Sequence, residues 1–175
     1  VKAAPHAVGS CAGLQPADDL VRLCASLPRP LVFTNGVFDI LHAGHVECLE
    51  RARDLGAALV VGVNGDASAR RLRKGPGRPI NRAEDRARVV AALAAVSAVV
   101  LFDEDKPLAL ICALRPEVYV KGGDYRADEL AETALVAEWG GRTVIVPRLD
   151  GRSTSAVVGR IAATAGVAGR LQAAA

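Results

Sequence analysis

Five short apolar runs, separated by stretches of helical period, predict an α/β domain on a doubly wound, five-stranded parallel sheet. The runs are Leu31–Thr34, Leu59–Asn64, Ala98–Phe102, Val118–Lys121 and Thr143–Pro147. Each is rich in β-branched residues and apolar on both faces, as strands covered by helices above and below must be. Polar clusters follow the carboxyl ends of these runs, where open sheets of this Rossmann-like kind bind ligands.

Taken in order, residues 1–29 are a mixed lead-in with a short helix expected over Pro16–Ser26. After the first strand, a His/Gly turn leads into a helix over Glu47–Leu55. The second strand opens into a long loop, Gly65–Ile80, which carries Arg70, Arg71, Arg73, Lys74 and Arg78 around a Gly75-Pro76-Gly77 breaker. A helix over Asn81–Ala95 follows, with Asn81 as its cap and Glu84 three residues later. Asp103-Glu104-Asp105 reads as a solvated turn before a helix over Pro107–Leu114. Helices over Asp128–Trp139 and Thr154–Ala163 complete the alternation, and right-handed crossovers join the parallel strands. The α/β domain therefore spans 30–165, and the Ala/Gly-rich tail 166–175 is expected to fray.

Composition narrows the function. A chain of 175 residues fits one domain, and a net charge of +3 is too small for a dedicated nucleic-acid binder. Aromatics make up only 3%, which disfavours base-stacking platforms. Mean hydropathy is +0.24, yet the longest apolar run, Val89–Phe102, is broken at Ser97 and falls short of the ~20 residues of a membrane span. Pro5, His6, Gly9 and Ser10 interrupt any signal-peptide core, so the expected location is cytoplasmic. Cys11, Cys24, Cys48 and Cys112 lack metal-site spacing and are expected to be reduced, mostly buried thiols.

The most informative stretch is Thr34-Asn35-Gly36-Val37-Phe38-Asp39-Ile40-Leu41-His42-Ala43-Gly44-His45. It leaves the first strand and enters a helix, where backbone N–H groups and the helix dipole favour an anion. His42 and His45 are three apart and project to the same side; Gly44 between them opens the backbone to a phosphate. The competing readings are two satisfied polar histidines or half of a metal site, but metal helices more often space histidines at i,i+4 with a carboxylate between. Neither a Walker A sequence nor GxGxxG occurs.

Two further clusters end the fourth and fifth strands. Lys121-Gly122-Gly123-Asp124-Tyr125 brings a lysine to a strand edge, where it can reach a phosphate as a point charge. Arg148-Leu149-Asp150-Gly151-Arg152-Ser153-Thr154-Ser155 opens the last helix; its hydroxyls either cap that helix or bind a second phosphate. The basic loop reads as a lid over a polyanion, with a solvated or RNA-binding segment as the alternative.

Together, Thr34–His45 with its HxGH core, Val61–Asp66, Asn81–Arg86, Lys121–Tyr125 and Arg148–Ser155 resemble the cytidylyltransferase-like nucleotidyltransferases. The likeness covers Leu31–Ile161 and is greatest to the adenylyltransferase domain of bifunctional heptose-phosphate proteins. It implies transfer of AMP from ATP to D-glycero-β-D-manno-heptose 1-phosphate. It also implies that His42 and His45, assisted by Lys121, hold the triphosphate and stabilise its α-phosphoryl transition state. Thr34, Asn35, Gly36, Phe38 and Gly44 would shape the nucleotide pocket. Lys74, Arg148, Ser153 and Thr154 would bind phosphates, and Asp39, Asn64, Asp66, Gly122 and Asp124 would face the sugar phosphate. Arg152 departs from the small or apolar residue usual there. Mg²⁺ would accompany ATP, the protein would be a homodimer, and a separate kinase would supply its substrate. The alternatives are a cytidylyltransferase for another alcohol phosphate, such as glycerol 3-phosphate, and a non-catalytic nucleotide- or RNA-binding module.

Overall fold

The computed structural model describes residues 8–9, 22, 26–75, 77–147 and 149–173, with side chains between 22 and 164. All five expected strands form: β2 (Leu31–Gly36), β3 (Ala58–Asn64), β4 (Ala98–Phe102), β5 (Val118–Gly122) and β6 (Arg142–Val146). A two-residue strand, β1 (Val8–Gly9), adds to the edge, and every pairing in the order β1-β4-β3-β2-β5-β6 is parallel. Two residues are too few to carry an apolar pattern, so this strand has no signature in the sequence.

Helices cover both faces. On one, Leu49 and Ala52 of α1 (Ala43–Arg53) and Ala87 and Val90 of α3 (Ala83–Ala91) pack on Val32, Val61 and Val120. On the other, Leu110 and Ile111 of α4 (Leu108–Leu114) and Val136 of α5 (Ala131–Ala137) pack on Phe33, Val60 and Tyr119. Alternate residues of one strand thus feed two cores, which is why each strand is apolar throughout. Val89–Phe102 is the end of α3 running into β4. No helix among the described residues is long and apolar enough to cross a membrane.

Several boundaries differ from expectation. The helix after β2 starts at Ala43, four residues before Glu47, which places His42 at its N-cap and His45 in its first turn. The loop after β3 contains a short helix, α2 (Asp66–Arg71). Asn81 does not cap α3: Arg82 holds that position without a side-chain bond, while the Asn81 amide donates to the Asp39 carbonyl. The segment expected as one helix over Asp128–Trp139 divides into a 3₁₀ turn (Ala127–Glu129) and α5, because Leu130 adopts an extended backbone between them. The last helix, α6 (Thr154–Ala173), runs well past Ala163. Cys48 is half-buried and Cys112 exposed, both as free thiols, so burial is less complete than expected. The lead-in helix falls largely outside the described residues, as do Cys11, Cys24 and Arg148.

Chain order places the switch point between β2 and β5: successive strands step away from β2 on one side, then β5 returns to its other edge. A crevice is expected at the carboxyl ends of these two strands.

Candidate active site

A cleft of about 550 Å³ occupies that crevice. Its walls come from the end of β2 (Thr34–Asp39), the start of α1 (His42, Gly44, His45), the basic loop (Leu72, Lys74, Arg78), the end of β5 (Lys121, Gly122) and the start of α6 (Arg152–Ser155). Four distant segments of sequence therefore meet around one space.

The two imidazoles stack, with ring centroids 3.8 Å apart and planes 26° from parallel. Phe38 backs them, its ring centroid 5.3 Å from that of His45. Phe38 has φ +50°, an uncommon conformation for a bulky residue. Gly36 makes room for its ring, since a Cβ there would lie 3.1 Å from it. Gly44 serves a different purpose: a Cβ on it would sit 3.2 Å from the His42 ring and from the Arg152 Cβ. Its bareness lets the starts of α1 and α6 approach.

Both histidine Nδ1 atoms are buried and without a hydrogen-bond partner among the described residues. With Nδ1 unpartnered, Nε2 is the nitrogen left to act, and in the tautomer that carries its proton it is a donor. Burial lowers the pKa of His42. Burial, aided by His42 and Lys74, pushes His45 down to about 4. Both rings are therefore neutral near pH 7. Lys121 lines the same cleft, its Nζ 3.1 Å from the Asn35 Oδ1, which also accepts the Tyr119 hydroxyl at 2.9 Å. Burial lowers the lysine pKa, partly offset by Glu132. Neutral imidazole donors, a desolvated ammonium and Lys74 form a site suited to phosphate oxygens.

A model of the Cytidylyltransferase-like family matches residues 33–159. The chain belongs to this family. A D-beta-D-heptose 1-phosphate adenylyltransferase from Bordetella bronchiseptica is 61% identical over 135 residues, 77% of this chain and 83% of that protein. The bifunctional protein HldE of Streptomyces coelicolor is 52% identical over 86% of the chain, which spans 33% of that longer protein. Among solved structures, a lipopolysaccharide core biosynthesis protein from Thermoplasma volcanium superposes with TM-score 0.57 at 30% identity, over 68% of this chain and 95% of the other. Pantothenate synthetase from Thermus thermophilus, at 21% identity, TM-score 0.50 and coverage of 74% and 60%, shares the fold.

This cytidylyltransferase-like site gathers most of the residues singled out in the sequence. Thr34, Asn35, Gly36, Phe38, Asp39, His42, Gly44, His45, Asn64, Lys74, Lys121, Gly122, Ser153 and Thr154 all line it. At the start of α6 the hydroxyls make bonds within the protein, as the capping reading expects. The Ser153 Oγ accepts the Ala156 N–H as a cap, and the Thr154 hydroxyl donates to the Ile40 carbonyl at 3.2 Å. Asp124 lines an adjoining hollow with Asp150 and Arg152. Asp66 is outside the cleft lining, paired at 2.8 Å with Arg86. Gly122 permits a close approach, as a Cβ there would meet the Cys48 Sγ at 2.7 Å.

Tyr119, Arg78, Arg86 and Ser155 were not singled out as site residues. Arg86 had a signal: it falls in α3 among Ala83, Ala87 and Val90, all buried, where an arginine needs a specific partner. Tyr119 is read as strand core, and only the fold brings its hydroxyl to Asn35.

The low His45 pKa has a stability consequence. Between pH 6.5 and about 4 the unfolded chain binds a proton that native His45 refuses. Native stability therefore falls as pH is lowered through that window, with a contribution approaching about 1.4 kcal/mol per pH unit. Urea unfolding of the wild type and His45→Gln at pH 7, 6 and 5 isolates this contribution. The variant is expected to lose less stability than the wild type on acidification; equal slopes contradict it.

Proposed function

We propose that the chain transfers AMP from ATP to D-glycero-β-D-manno-heptose 1-phosphate, releasing pyrophosphate and forming ADP-heptose. The observation that carries this reading is the stacked His42–His45 pair, meeting Lys121 and Lys74 in one cleft of a chain 61% identical to an enzyme of that name.

A phosphate oxygen of the sugar substrate attacks the α-phosphorus. The new P–O bond forms as the bond to the bridging α–β oxygen breaks, and the electron pair leaves with pyrophosphate. The attacking oxygen is already anionic, so no strong general base is required, and positioning with charge stabilisation supplies the acceleration. The His42 and His45 Nε2–H groups and the Lys121 ammonium meet charge developing on the α-phosphoryl oxygens. Arg152 and the hydroxyls of Ser153 and Thr154 take the outer phosphates, with Lys74 arriving from the loop. Asn35, Gly36 and Phe38 shape the nucleotide end; Asn64, Gly122 and Asp124 fall to the sugar phosphate.

Mg²⁺ enters with ATP as part of the substrate, held by phosphate oxygens and water. The donors around the cleft fit that arrangement: they are chiefly imidazoles, cations and hydroxyls, and both Asp39 oxygens already accept protein donors. No cluster of three or more metal-ligating side chains occurs among the described residues. A kinase activity outside these residues supplies the sugar 1-phosphate.

The test is pyrophosphate release from ATP, CTP, GTP or UTP against heptose 1-phosphate and glycerol 3-phosphate. ATP with the heptose phosphate is expected to exceed every other pair by at least about tenfold in kcat/KM. Preference for CTP with glycerol 3-phosphate favours a different nucleotidyltransferase, and ATP binding without turnover on any acceptor rejects the enzyme.

A further inference from the structure

The turn that leads to the histidines and the base of the basic loop are joined by a buried polar clamp. Asp39 is its centre, with a side chain 1% exposed. Its Oδ1 accepts the backbone N–H groups of Ile80 at 2.8 Å and Asn81 at 2.9 Å, and its Oδ2 accepts the Arg78 guanidinium. The Asn81 side-chain amide donates back to the Asp39 carbonyl. Arg86, fully buried in α3, donates to the Val37 carbonyl, to the Asn81 carbonyl at 3.0 Å and to Asp66 at 2.8 Å. The far end of the loop is also anchored: Arg71 bonds Asp105 at 2.6 Å and the Asp103 carbonyl. Between these anchors the loop presents Leu72 and Lys74 to the cleft.

Phe38 sits between two clamped neighbours, since Val37 is held through its carbonyl and Asp39 through its carboxylate and carbonyl. Its positive φ and its contact with His45 are thus maintained from outside the turn. Direct contact of Asp39 with substrate is disfavoured on two grounds. Three donors already occupy most of the roughly four acceptor positions of a carboxylate, and the sugar phosphate is itself an anion.

We propose that Asp39 is a positioning residue, which with Arg78 pins the base of the basic loop to the turn 37–39 and so holds Phe38 against His45. This reassigns Asp39 from the sugar-phosphate contacts. It deepens the nucleotidyl-transfer reading, on which its kinetic consequence rests; its structural consequence stands independently.

Asp39→Asn keeps the size of the side chain and one acceptor oxygen while removing the charge that faces Arg78. Arg78→Gln removes the other half of the pair and serves where the first variant fails to fold. Both variants are compared with the wild type by steady-state pyrophosphate release and by histidine-ring NMR titration of the free protein, which contains only three histidines. His45 faces His42 from its own helix and Lys74 from the loop. The expected result in each variant is a kcat lower by about tenfold or more with KM for the sugar phosphate changed less than about threefold. The His45 titration midpoint is expected to move up from about 4 toward 6.5 as the ring gains water.

A rise in KM for the sugar phosphate with an unmoved His45 titration overturns the proposal in favour of direct contact. Wild-type kinetics and titration in both folded variants overturn it by showing the clamp to be idle. A wild-type protein that transfers no AMP rejects the functional reading instead, and the His45 titration still decides the clamp.

Discussion

Replacing His45 with alanine is expected to lower kcat at least ~10²-fold, the usual loss when one preorganised donor is removed from a developing oxyanion. The ring is neutral, seated in the first turn of α1, and its Nδ1 is sealed from partners, so Nε2–H is the donor it can offer. Stacking on His42 at 3.8 Å and contact with Phe38 at 5.3 Å hold that donor in place before substrate arrives. An interaction realised chiefly in the transition state lowers kcat and kcat/KM together, leaving KM for ATP little changed. His45→Gln, which retains an amide donor, should recover part of the loss. Pyrophosphate release under saturating and limiting ATP measures both parameters. A kcat within about threefold of wild type rules out the donor role.

The largest stability effect is expected at Arg86. Arg86→Met should destabilise the fold by about 3–5 kcal/mol, the range for removing one partner from a buried charge pair. Methionine restores much of the volume but no donor, so the Val37 and Asn81 carbonyls and the Asp66 carboxylate all lose a bond. The Asp66 side chain is 28% exposed and regains some water, which places the expected loss toward the lower end. Denaturant unfolding at pH 7 reports the change as a lower midpoint at constant slope. A loss under about 1 kcal/mol means that the buried guanidinium is not stabilised by these bonds.

The strands were legible because a parallel sheet buried on both faces leaves uninterrupted apolar runs. The histidine turn was legible because its residue types and spacing match the demands of a phosphate at a helix start. What escaped depends on contacts between distant segments. Asn81 has the composition and spacing of a cap, yet its amide serves Asp39, 42 positions away, and no local pattern reports that. Helix α2 buries only Ser68 and Ala69 and so lacks an apolar stripe. The length of α6 was missed because its later residues are rich in alanine and glycine, which mark no clear end. The resemblance groups Asp66 with the substrate contacts, and only the fold brings Arg86 to it.

The missing side chain of Gly44 has an energetic consequence for the cleft. It allows the amino-terminal ends of α1 and α6 to converge on one space, so two macrodipoles bring their positive poles to the same cleft. Lys74, Lys121 and Arg152 add charge of the same sign to the same walls. The free protein therefore holds a concentrated repulsion that its small net charge of +3 conceals. A polyphosphate entering the cleft is the counter-charge that relieves it. Part of the binding free energy then comes from ending a conflict already built into the fold, and each exit of product restores it.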